Sequence, residues 1–553
     1  MGQRVAFARS RFCMKRAPSD AAFLLPVLAF IALFALLPVT VLFVDAFVSA
    51  GGLSGAAGIL AQRENVRAVE NSLVQGGLSA VFAVLLGYPA GVFLGRYEWP
   101  GRSIVRSFLL VPFLLPSLVV VFGVLDLFGP SGLLSSAVPA LSVLGSGLPA
   151  IVVANLLFNV PIVVLFTAAG CEGSPVGLEE TVATLGGSPW RAYLDVWGRA
   201  TWVGALAGGL LTFLFSALSF APPLLLCGPG CYTVEAQVWF LDTLGLQPTA
   251  AGVLSLAMVA AFLVPTAAYL FVLSRLRSAG RHGGRRTRRA PSGSALSIGL
   301  AIETGAVLCS VFGLLGAVLY RSVAPVGAGG PGSAWAALFS PATTQRLGIS
   351  ALGAVGNTLF FATVAAGIAV VLGVVSGYAI ARRPRRAGAL GLVLFVPLLL
   401  SPVVLAFSLA EFWRPLWGGE STVWALVIVS QAALALPLAL QSLEIPLAGL
   451  APAEREVART LGATSWGAFL DADLPRVRDG LLTAGLFAFA LGLGEFTATY
   501  FLVTPTFTTL PVALYTLANT RLFPVADAAA GLLLLLSLAV FTILTVGGRR
   551  VEL

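Results

Sequence analysis

The residue types that carry most catalytic chemistry are nearly missing from this sequence. His282 is its only histidine, so the chain lacks the histidines that metal sites and Ser-His or Cys-His catalysis require. Lys15 is its only lysine and follows Met14, so no phosphate-binding loop of the form G-x-x-x-x-G-K-[ST] can be written. We therefore expect no catalytic residue, no metal site, no cofactor and no enzyme activity in this chain. If nucleotide energy drives it, a separate subunit hydrolyses the nucleotide.

The five cysteines are too dispersed to form a disulfide framework. Cys227 and Cys231 are the one close pair, within the sequence CGPGC, which we expect in an outer loop. Two interpretations stay open for this pair: a local disulfide, or two free thiols in a tight turn.

Charged side chains gather instead in two stretches that can bind a partner protein. The second polar loop, defined as residues 452–475, reads PAEREVARTLGATSWGAFLDADLP. The first polar loop, residues 175–199, reads PVGLEETVATLGGSPWRAYLDVWGR and is a fainter copy. For one such loop, an amphipathic helix at the membrane surface is the ordinary interpretation. Two copies at the same place in each half favour a cytoplasmic surface that binds partners.

The rest of the chain has the composition of a membrane protein. Its 553 residues are 58% hydrophobic and only 10% charged, whereas a soluble domain carries roughly a quarter charged residues. Repeated apolar runs of about 20 residues have the length of membrane-spanning helices. The net charge of +9 lies mostly in short loops, as the positive-inside bias requires, and no basic face interleaved with aromatic residues indicates nucleic-acid binding. We predict an all-α polytopic membrane protein.

Twelve spans are expected in a prokaryotic inner membrane, as two parallel six-helix repeats with both chain termini in the cytoplasm. The predicted regions are a cytoplasmic tail (1–20), a first repeat (21–274), an arginine-rich cytoplasmic linker (275–297) and a second repeat (298–548). For the linker, a topology anchor is favoured over a contact with anionic lipid. The predicted spans lie near 21–44, 72–95, 105–128, 147–170, 201–224, 248–273, 298–320, 353–381, 389–412, 421–445, 480–503 and 524–547.

Matching motifs at nearly constant offsets indicate that the two halves arose by duplication. Asn71-Ser-Leu in the first half matches Asn357-Thr-Leu in the second. Thr233-Val-Glu-Ala-Gln-Val-Trp matches Thr509-Leu-Pro-Val-Ala-Leu-Tyr, at a slightly shorter offset that the two polar loops share. Similar spacing across a whole half predicts a repeated fold, with the translocation path between the repeats.

The second polar loop has the local signals of two helices joined by a glycine. Pro452 can open the first helix, because its missing N–H is not needed there. Gly462 can end it in the left-handed conformation. Thr464 or Ser465 can cap a second helix, which we expect to stop before Pro475.

The first polar loop follows the same order of signals. Glu180 and Gly186 precede Glu456 and Gly462 by one and the same offset. Ser188-Pro189 supplies the cap and first turn of its second helix. Each loop is therefore predicted to be a short helix, a glycine turn and another short helix.

The second polar loop resembles the EAA loop of ABC importer permeases. Glu456, Ala458 and Gly462 fit E-x-A-x-x-x-G, and Leu474-Pro475 fits the Leu-Pro that closes the motif. The first polar loop keeps Glu180 and Gly186. It departs from the family with Thr181 and Val182 in place of the alanines, and with Gly198-Arg199 in place of Leu-Pro.

This resemblance covers nearly the whole chain and implies the partners. In the family, the loop contains a coupling helix that sits in a cleft of the ATP-binding subunit. A cytoplasmic ATP-binding homodimer and an extracytoplasmic substrate-binding protein are thus implied. The implied docking residues are Glu180, Gly186, Glu456, Ala458, Gly462, Leu474 and Pro475. The fused arrangement, with Leu493-Gly-Glu-Phe, looks most like the iron(III) and thiamine importer permeases, which are related to the sulfate/molybdate and polyamine groups.

Glu495 and Ser219 are the pore candidates. Glu495 lies in the predicted eleventh span, and Ser219 is its counterpart in the first half, at the offset that relates the two polar loops. Charges at membrane depth usually face a protein interior or a water-filled path, so this pair can help a cationic or polar solute to pass. A carboxyl that bonds neighbouring helices, or that is protonated by desolvation, is an equally good interpretation.

Two other classes of protein compete with an importer permease. An ion-coupled transporter of the major facilitator type also has two six-span repeats, but it would carry a basic motif between spans two and three, which Arg96 and Arg102 do not form well. A membrane scaffold would bind partners without solute flux. A transporter of the major facilitator type would not carry paired polar loops between the fourth and fifth spans of each half. Solute flux in reconstituted vesicles would exclude the scaffold.

Overall fold

The computed structural model describes residues 20–109, 111–172, 178–282, 295–325, 330–382, 394, 397, 400–450, 452–503 and 507–547. These residues form helices and no β-strand. The α-helices of the first half are Asp20–Ile31, Leu37–Ser49, Gly52–Leu60, Arg63–Arg96, Arg102–Phe108, Val111–Leu114, Ser117–Phe128, Leu133–Ala137, Gly147–Glu172, Leu178–Thr184, Pro189–Ala192, Gly198–Ala217, Ala221–Leu226, Val234–Trp239 and Pro248–His282. Those of the second half are Ala295–Val323, Ser333–Leu338, Pro341–Leu347, Ala351–Arg382, Pro402–Trp417, Glu420–Ala448, Pro452–Thr460, Ser465–Ala468, Leu474–Gly494, Thr497–Leu502, Leu510–Asn519 and Phe523–Gly547.

Four single-turn π segments and two short 3₁₀ turns complete the described secondary structure. The π segments are Ala32–Leu36, Tyr193–Trp197, Phe240–Leu244 and Phe469–Asp473, and the 3₁₀ turns are Pro139–Gly145 and Pro229–Cys231. Two of the π segments, Tyr193–Trp197 and Phe469–Asp473, follow the second helices of the two polar loops at corresponding positions.

Within the described ranges, eleven helices are long and apolar enough to cross a membrane. They agree with the predicted all-α polytopic fold. The predicted ninth span, 389–412, lies partly outside the described residues. Its described residues from position 402 onward belong to Pro402–Trp417, a helix of 16 residues.

Three of the predicted spans are broken helices rather than continuous ones. The third, 105–128, is divided into three helices, the last of which begins after Pro116. Proline has no N–H for the helix ladder and disfavours helical conformation in the residue before it, which explains this break. The fifth span of each half also breaks, after Ala217 and after Gly494. Irregular backbone at membrane depth is tolerated where it is buried in protein or lines a cavity.

The linker begins later than the sequence indicated. Residues 275–282 continue the helix Pro248–His282, so the first part of the predicted solvated linker is helical. The remaining linker residues 283–294, and residues 1–19 of the predicted tail, lie outside the described residues.

Corresponding hydrogen bonds recur in the two halves. Asn71 Nδ2 donates to the carbonyl oxygen of Tyr232 at 3.1 Å. Asn357 Nδ2 donates to the carbonyl oxygen of Thr508 at 3.0 Å. Tyr232 and Thr508 immediately precede the matched Thr233 and Thr509 motifs. The motifs that match in the sequence of the two halves therefore also make matching hydrogen bonds in the structure.

A second pair of bonds anchors the next helix in each half. The N–H of Val234 donates to Ser72 Oγ at 3.0 Å, and the N–H of Leu510 donates to Thr358 Oγ1 at 2.8 Å. Each bond satisfies an N–H in the first turn of a helix, which has no partner within the helix. The segment after each broken span is therefore fixed to the second span of its own half.

Glycine allows a close helix crossing in the first half. Gly204 lies where Gly198–Ala217 crosses Gly147–Glu172, and a Cβ there would lie 2.2 Å from the backbone oxygen of Phe166. Small residues at membrane-helix interfaces permit this approach of backbones. Any side chain at position 204 requires the two helices to separate.

We expect Gly204→Ala to destabilise the protein by about 1–3 kcal/mol through overpacking. Gly77→Ala is the matched control, because a Cβ there would meet nothing within 4 Å. Both changes carry the same gain in helix propensity, so only the crossing differs. Thermal unfolding of the detergent-purified variants measures the effect. Equal melting temperatures for the two variants would contradict the prediction.

Candidate translocation path and docking loops

The second polar loop is built by capping at three successive points. Pro452–Thr460 ends at Gly462, whose φ is 92°, a left-handed conformation that glycine adopts without strain. The N–H of Ala463 donates to the oxygen of Ala458 at 3.0 Å and that of Gly462 to the oxygen of Arg459 at 3.1 Å, which is a Schellman cap. Thr464 Oγ1 then accepts from the N–H of Gly467 at 3.0 Å and caps Ser465–Ala468.

The first polar loop has the same geometry. Gly186 has a φ of 76°, its N–H donates to the oxygen of Ala183, and the N–H of Gly187 donates to the oxygen of Val182. Ser188 Oγ accepts from the N–H of Arg191 at 3.3 Å and caps the next helix. The predicted helix, glycine turn and second helix are therefore present in both loops. Glu180 lies on the helix Leu178–Thr184.

The predicted end of the second polar loop is wrong. Ser465–Ala468 does not stop before Pro475 but continues through the π segment Phe469–Asp473 into Leu474–Gly494. Leu474 and Pro475 are the first two residues of that long helix. The N–H that proline lacks would have no partner within the helix at this position. The Leu-Pro pair thus joins the loop to a membrane span.

Both loops expose apolar side chains beside their charges. Val457 and Leu461 are 57% and 82% exposed in the second polar loop, and Leu185 and Trp190 are 81% and 65% exposed in the first. Glu456 is exposed on the same helix as Val457, and Ala458 is half-buried. Exposed apolar residues surrounded by polar ones are typical of protein interaction surfaces.

The loops differ in how they are held to the spans. In the second, Arg476 forms an ion pair with Glu454, and the Tyr378 hydroxyl donates to Asp473 Oδ2 at 3.0 Å. The sequence holds Leu178 and Ala200 at the two positions that correspond to Glu454 and Arg476, so the first loop cannot make this ion pair.

The first loop uses a hydroxyl network instead. Tyr88 and Tyr193 share a hydrogen bond of 2.6 Å, and Trp202 Nε1 donates to the Tyr193 hydroxyl at 2.7 Å. The second helix of each loop is thus tied to a span of its own half, by different chemistry.

Two adjoining cavities, of about 410 and 240 Å³, lie between the halves. Glu495 lines the larger and Ser219 lines the smaller. Each of these residues occupies the break of its fifth span, at corresponding positions. The residues that line both cavities are Ser117, Phe158, Phe215, Leu218, Pro402 and Thr497.

The sequence suggested that Glu495 lies inside a continuous span, but in the structure it lies in a helix break. Its carboxylate accepts hydrogen bonds from the N–H groups of Ala498 and Thr499, both at 2.8 Å, and from the Thr499 hydroxyl. These bonds hold the start of Thr497–Leu502. The carboxylate therefore bonds the helix that follows it, and it also lies at the wall of the larger cavity.

Aromatic rings connect the two breaks. Phe220 and Phe496, at corresponding positions, have ring centroids 5.8 Å apart. Trp239 and Tyr500 extend this cluster, with centroids 5.6 Å apart. The faces of such rings attract cations.

Sequence reasoning missed one acidic residue of the smaller cavity. Glu235, on Val234–Trp239, lines this cavity and is only 1% exposed. Its position as a lone acid in an otherwise apolar segment could have indicated it. In the sequence comparison, this segment served only to match the Thr233 motif with the Thr509 motif. Asp126 is a further buried acid and is 7% exposed.

At the expected outer side, Cys227 and Cys231 form a disulfide, which decides between the two interpretations of this pair. The nearby Phe240–Leu244 turn contains Asp242. Burial, together with the Glu411 carboxyl, raises the pKa of Asp242 to about 6, against the opposing effect of Arg414. An acidic group of this kind is sensitive to protonation near neutral pH.

Paired loops of the same geometry and cavities between broken helices define a membrane transport subunit. A family model described as the binding-protein-dependent transport system inner membrane component matches residues 87–278. The molybdenum transport system permease protein ModB of Escherichia coli K12 is 33% identical over 161 residues, which is 27% of this chain and 69% of the relative. The thiamine transport system permease protein ThiP of Salmonella typhimurium LT2 is 27% identical over 494 residues, which is 86% of this chain and 88% of the relative. The protein of the same name from Brucella abortus 2308 is 25% identical over 511 residues, which is 87% of each chain.

The chain belongs to the binding-protein-dependent transport system inner membrane component family and is the permease subunit of an ABC importer. This confirms the resemblance drawn from the second polar loop. The relatives are transport permeases and not enzymes, and the family implies ATP-binding and substrate-binding partners. The major facilitator alternative is not favoured.

Proposed function

We propose that this permease imports a small aromatic cation of the thiamine type. The observation that carries the proposal is the pair of adjoining cavities, lined by aromatic rings and by a carboxyl at a helix break. Thiamine joins a neutral pyrimidine to a positively charged thiazolium ring, and such a solute matches both features. Relatives named as thiamine permeases match along most of the chain, which supports thiamine over iron(III).

Energy reaches the path through the two polar loops. Each loop docks on one copy of an ATP-binding homodimer in the cytoplasm, and that dimer hydrolyses ATP. The exposed Leu461 and Leu185 of the two glycine turns support this role, because each is held outward by a rigid cap. With the loops inside, both chain termini are cytoplasmic, and an extracytoplasmic protein delivers the solute at the opposite face.

The broken spans explain how closure of the ATP-binding dimer can open the path. Leu474–Gly494 runs from the second polar loop directly to the break at Glu495. Movement of the loop is therefore transmitted along one helix to the cavity wall. Gly198–Ala217 makes the same connection from the first polar loop to Ser219.

Uptake by the reconstituted complex tests the function. Vesicles that contain the permease, its ATP-binding subunit and its binding protein should accumulate radiolabelled thiamine only with ATP. Iron(III) and molybdate serve as competing probes. Accumulation of either of these in place of thiamine would exclude the aromatic-cation proposal. A proton or sodium gradient that drives uptake without ATP would favour an ion-coupled transporter.

We expect Glu495→Gln to impair both uptake and stability. The amide nitrogen of glutamine would face N–H donors that now bind the carboxylate, at a cost of about 1–3 kcal/mol for the unsatisfied groups. The cavity also loses its negative charge, which should raise the KM for thiamine. Melting temperature and uptake kinetics measure the two effects.

Glu303→Gln is the matched control for Glu495→Gln. Glu303 lies on the membrane helix Ala295–Val323 and lines neither cavity. A lower melting temperature with an unchanged KM in Glu495→Gln would reduce its role to that of a helix cap.

A further inference from the structure

Glu235 is a buried acid whose charge has no partner of opposite sign among the described residues. Its side chain is 1% exposed, and Oε1 has no hydrogen-bond partner. The neighbouring group is the hydroxyl of Ser401, which belongs to the other half of the chain. An ionised carboxylate is costly in a protein interior unless a cation or several hydrogen-bond donors accompany it.

The cavity beside Glu235 is the polar part of the path. It is also lined by Asn155 and Asn159, each 3% exposed, and by Ser219. The adjoining larger cavity is lined mostly by apolar and aromatic residues. The two cavities together therefore offer a polar end and an apolar end to one elongated solute.

The fold does not need an acid at position 235. The corresponding residue of the second half is Pro511, on Leu510–Asn519. Both helices begin with the same bond, from the N–H of Val234 to Ser72 and from the N–H of Leu510 to Thr358. The same local structure thus forms with and without the carboxyl, which leaves a ligand as the reason for it.

We propose that Glu235 binds the positive charge of the transported cation in the smaller cavity, while its uncharged ring occupies the larger one. This inference rests on the proposed function, because it names the residue that recognises the cation. The entering cation supplies the partner that Oε1 lacks. Glu495, whose two oxygens are already bonded, contributes its negative charge to the wall of the larger cavity without being the direct partner of the cation.

The test compares thiamine with a neutral analogue in which a thiophene ring replaces the thiazolium. In vesicles with the full complex, the wild type should take up thiamine and discriminate against the analogue. Glu235→Gln keeps the shape but removes the charge, and it should raise the KM for thiamine on the order of tenfold or more, as expected when a buried charge pair loses one partner. The KM for the neutral analogue should not rise.

Two further variants make the outcome decisive. Glu303→Gln removes one acid from a membrane helix outside both cavities, and it should transport thiamine like the wild type. Glu235→Asp retains the charge on a shorter side chain, so it should preserve the discrimination even if Glu235→Gln does not fold. The assignment of Glu235 would be overturned, and the proposed function left standing, by either of two results. One is a Glu235→Gln variant with the KM for thiamine and the discrimination of the wild type; the other is a Glu235→Asp variant that has lost the discrimination. Failure of the wild type to import thiamine would instead overturn the proposed function, and this inference with it.

Discussion

Glu456→Lys is expected to abolish recruitment of the ATP-binding subunit and ATP-driven uptake, while membrane insertion and folding stay intact. Glu456 is exposed on Pro452–Thr460, so its replacement disturbs no packed core. At a docked interface, however, a reversed charge is desolvated beside the groups that bound the carboxylate. Such a change costs about 2–5 kcal/mol, which is more than tenfold in affinity. Co-purification of the co-expressed ATP-binding subunit measures it.

Two further charge reversals calibrate this result. Glu64→Lys changes an exposed acid in the first turn of Arg63–Arg96, far from both loops in the sequence, and should leave recruitment unchanged. Glu180→Lys should reduce recruitment less than Glu456→Lys, because the first polar loop has lost the alanines and the Leu-Pro of the motif. Wild-type levels of the ATP-binding subunit on the Glu456→Lys permease would refute the docking role.

The loop geometry could be predicted from the sequence because local chemistry determines it. A helix that ends at Gly462 needs a residue that tolerates positive φ, and a hydroxyl at Thr464 caps the next turn. Each decision involves only a few neighbouring residues. The duplication was readable for a related reason, since Asn71 and Asn357 make the same hydrogen bond at the same place in their halves.

The breaks of the fifth spans could not be predicted in the same way. Residues around Ser219 and Glu495 are apolar enough to continue a membrane helix, and hydropathy counts composition without geometry. At the break, the Glu495 carboxylate accepts hydrogen bonds from the N–H groups of Ala498 and Thr499. The cavity itself depends on how two distant halves pack. In the sequence, Glu235 is only one acidic residue of the Thr233 motif that matches the second half. Its burial is evident only in the folded structure.

Two kinds of residue contribute to the docking loops. Glu456 provides charge at the surface, whereas Gly462 provides backbone geometry. A Cβ at Gly462 would meet nothing within 4 Å, so space is available for a side chain. The constraint is the φ of 92°, which costs other L-residues roughly 1–2 kcal/mol. Substitutions at this position therefore test conformation rather than packing.

We expect Gly462→Asp to abolish recruitment of the ATP-binding subunit without lowering the melting temperature much. It strains the turn and places an ionised group where docking removes water, and a charge buried without a partner is costly. Gly462→Asn is the matched control, because asparagine has the same shape, tolerates the left-handed conformation and carries no charge. We expect it to retain most recruitment, whereas Gly462→Val, which is branched at Cβ, should lose recruitment through strain alone.

The order of these three variants separates the two contributions of the glycine. If Asn functions while Asp and Val fail, both the left-handed turn and an uncharged surface are required for docking. If all three variants recruit the ATP-binding subunit like the wild type, the turn does not position the coupling surface, and the proposal that ATP-driven motion enters through the second polar loop is wrong. Because position 462 is exposed, loss of recruitment with an unchanged melting temperature reports on the interface and not on the fold.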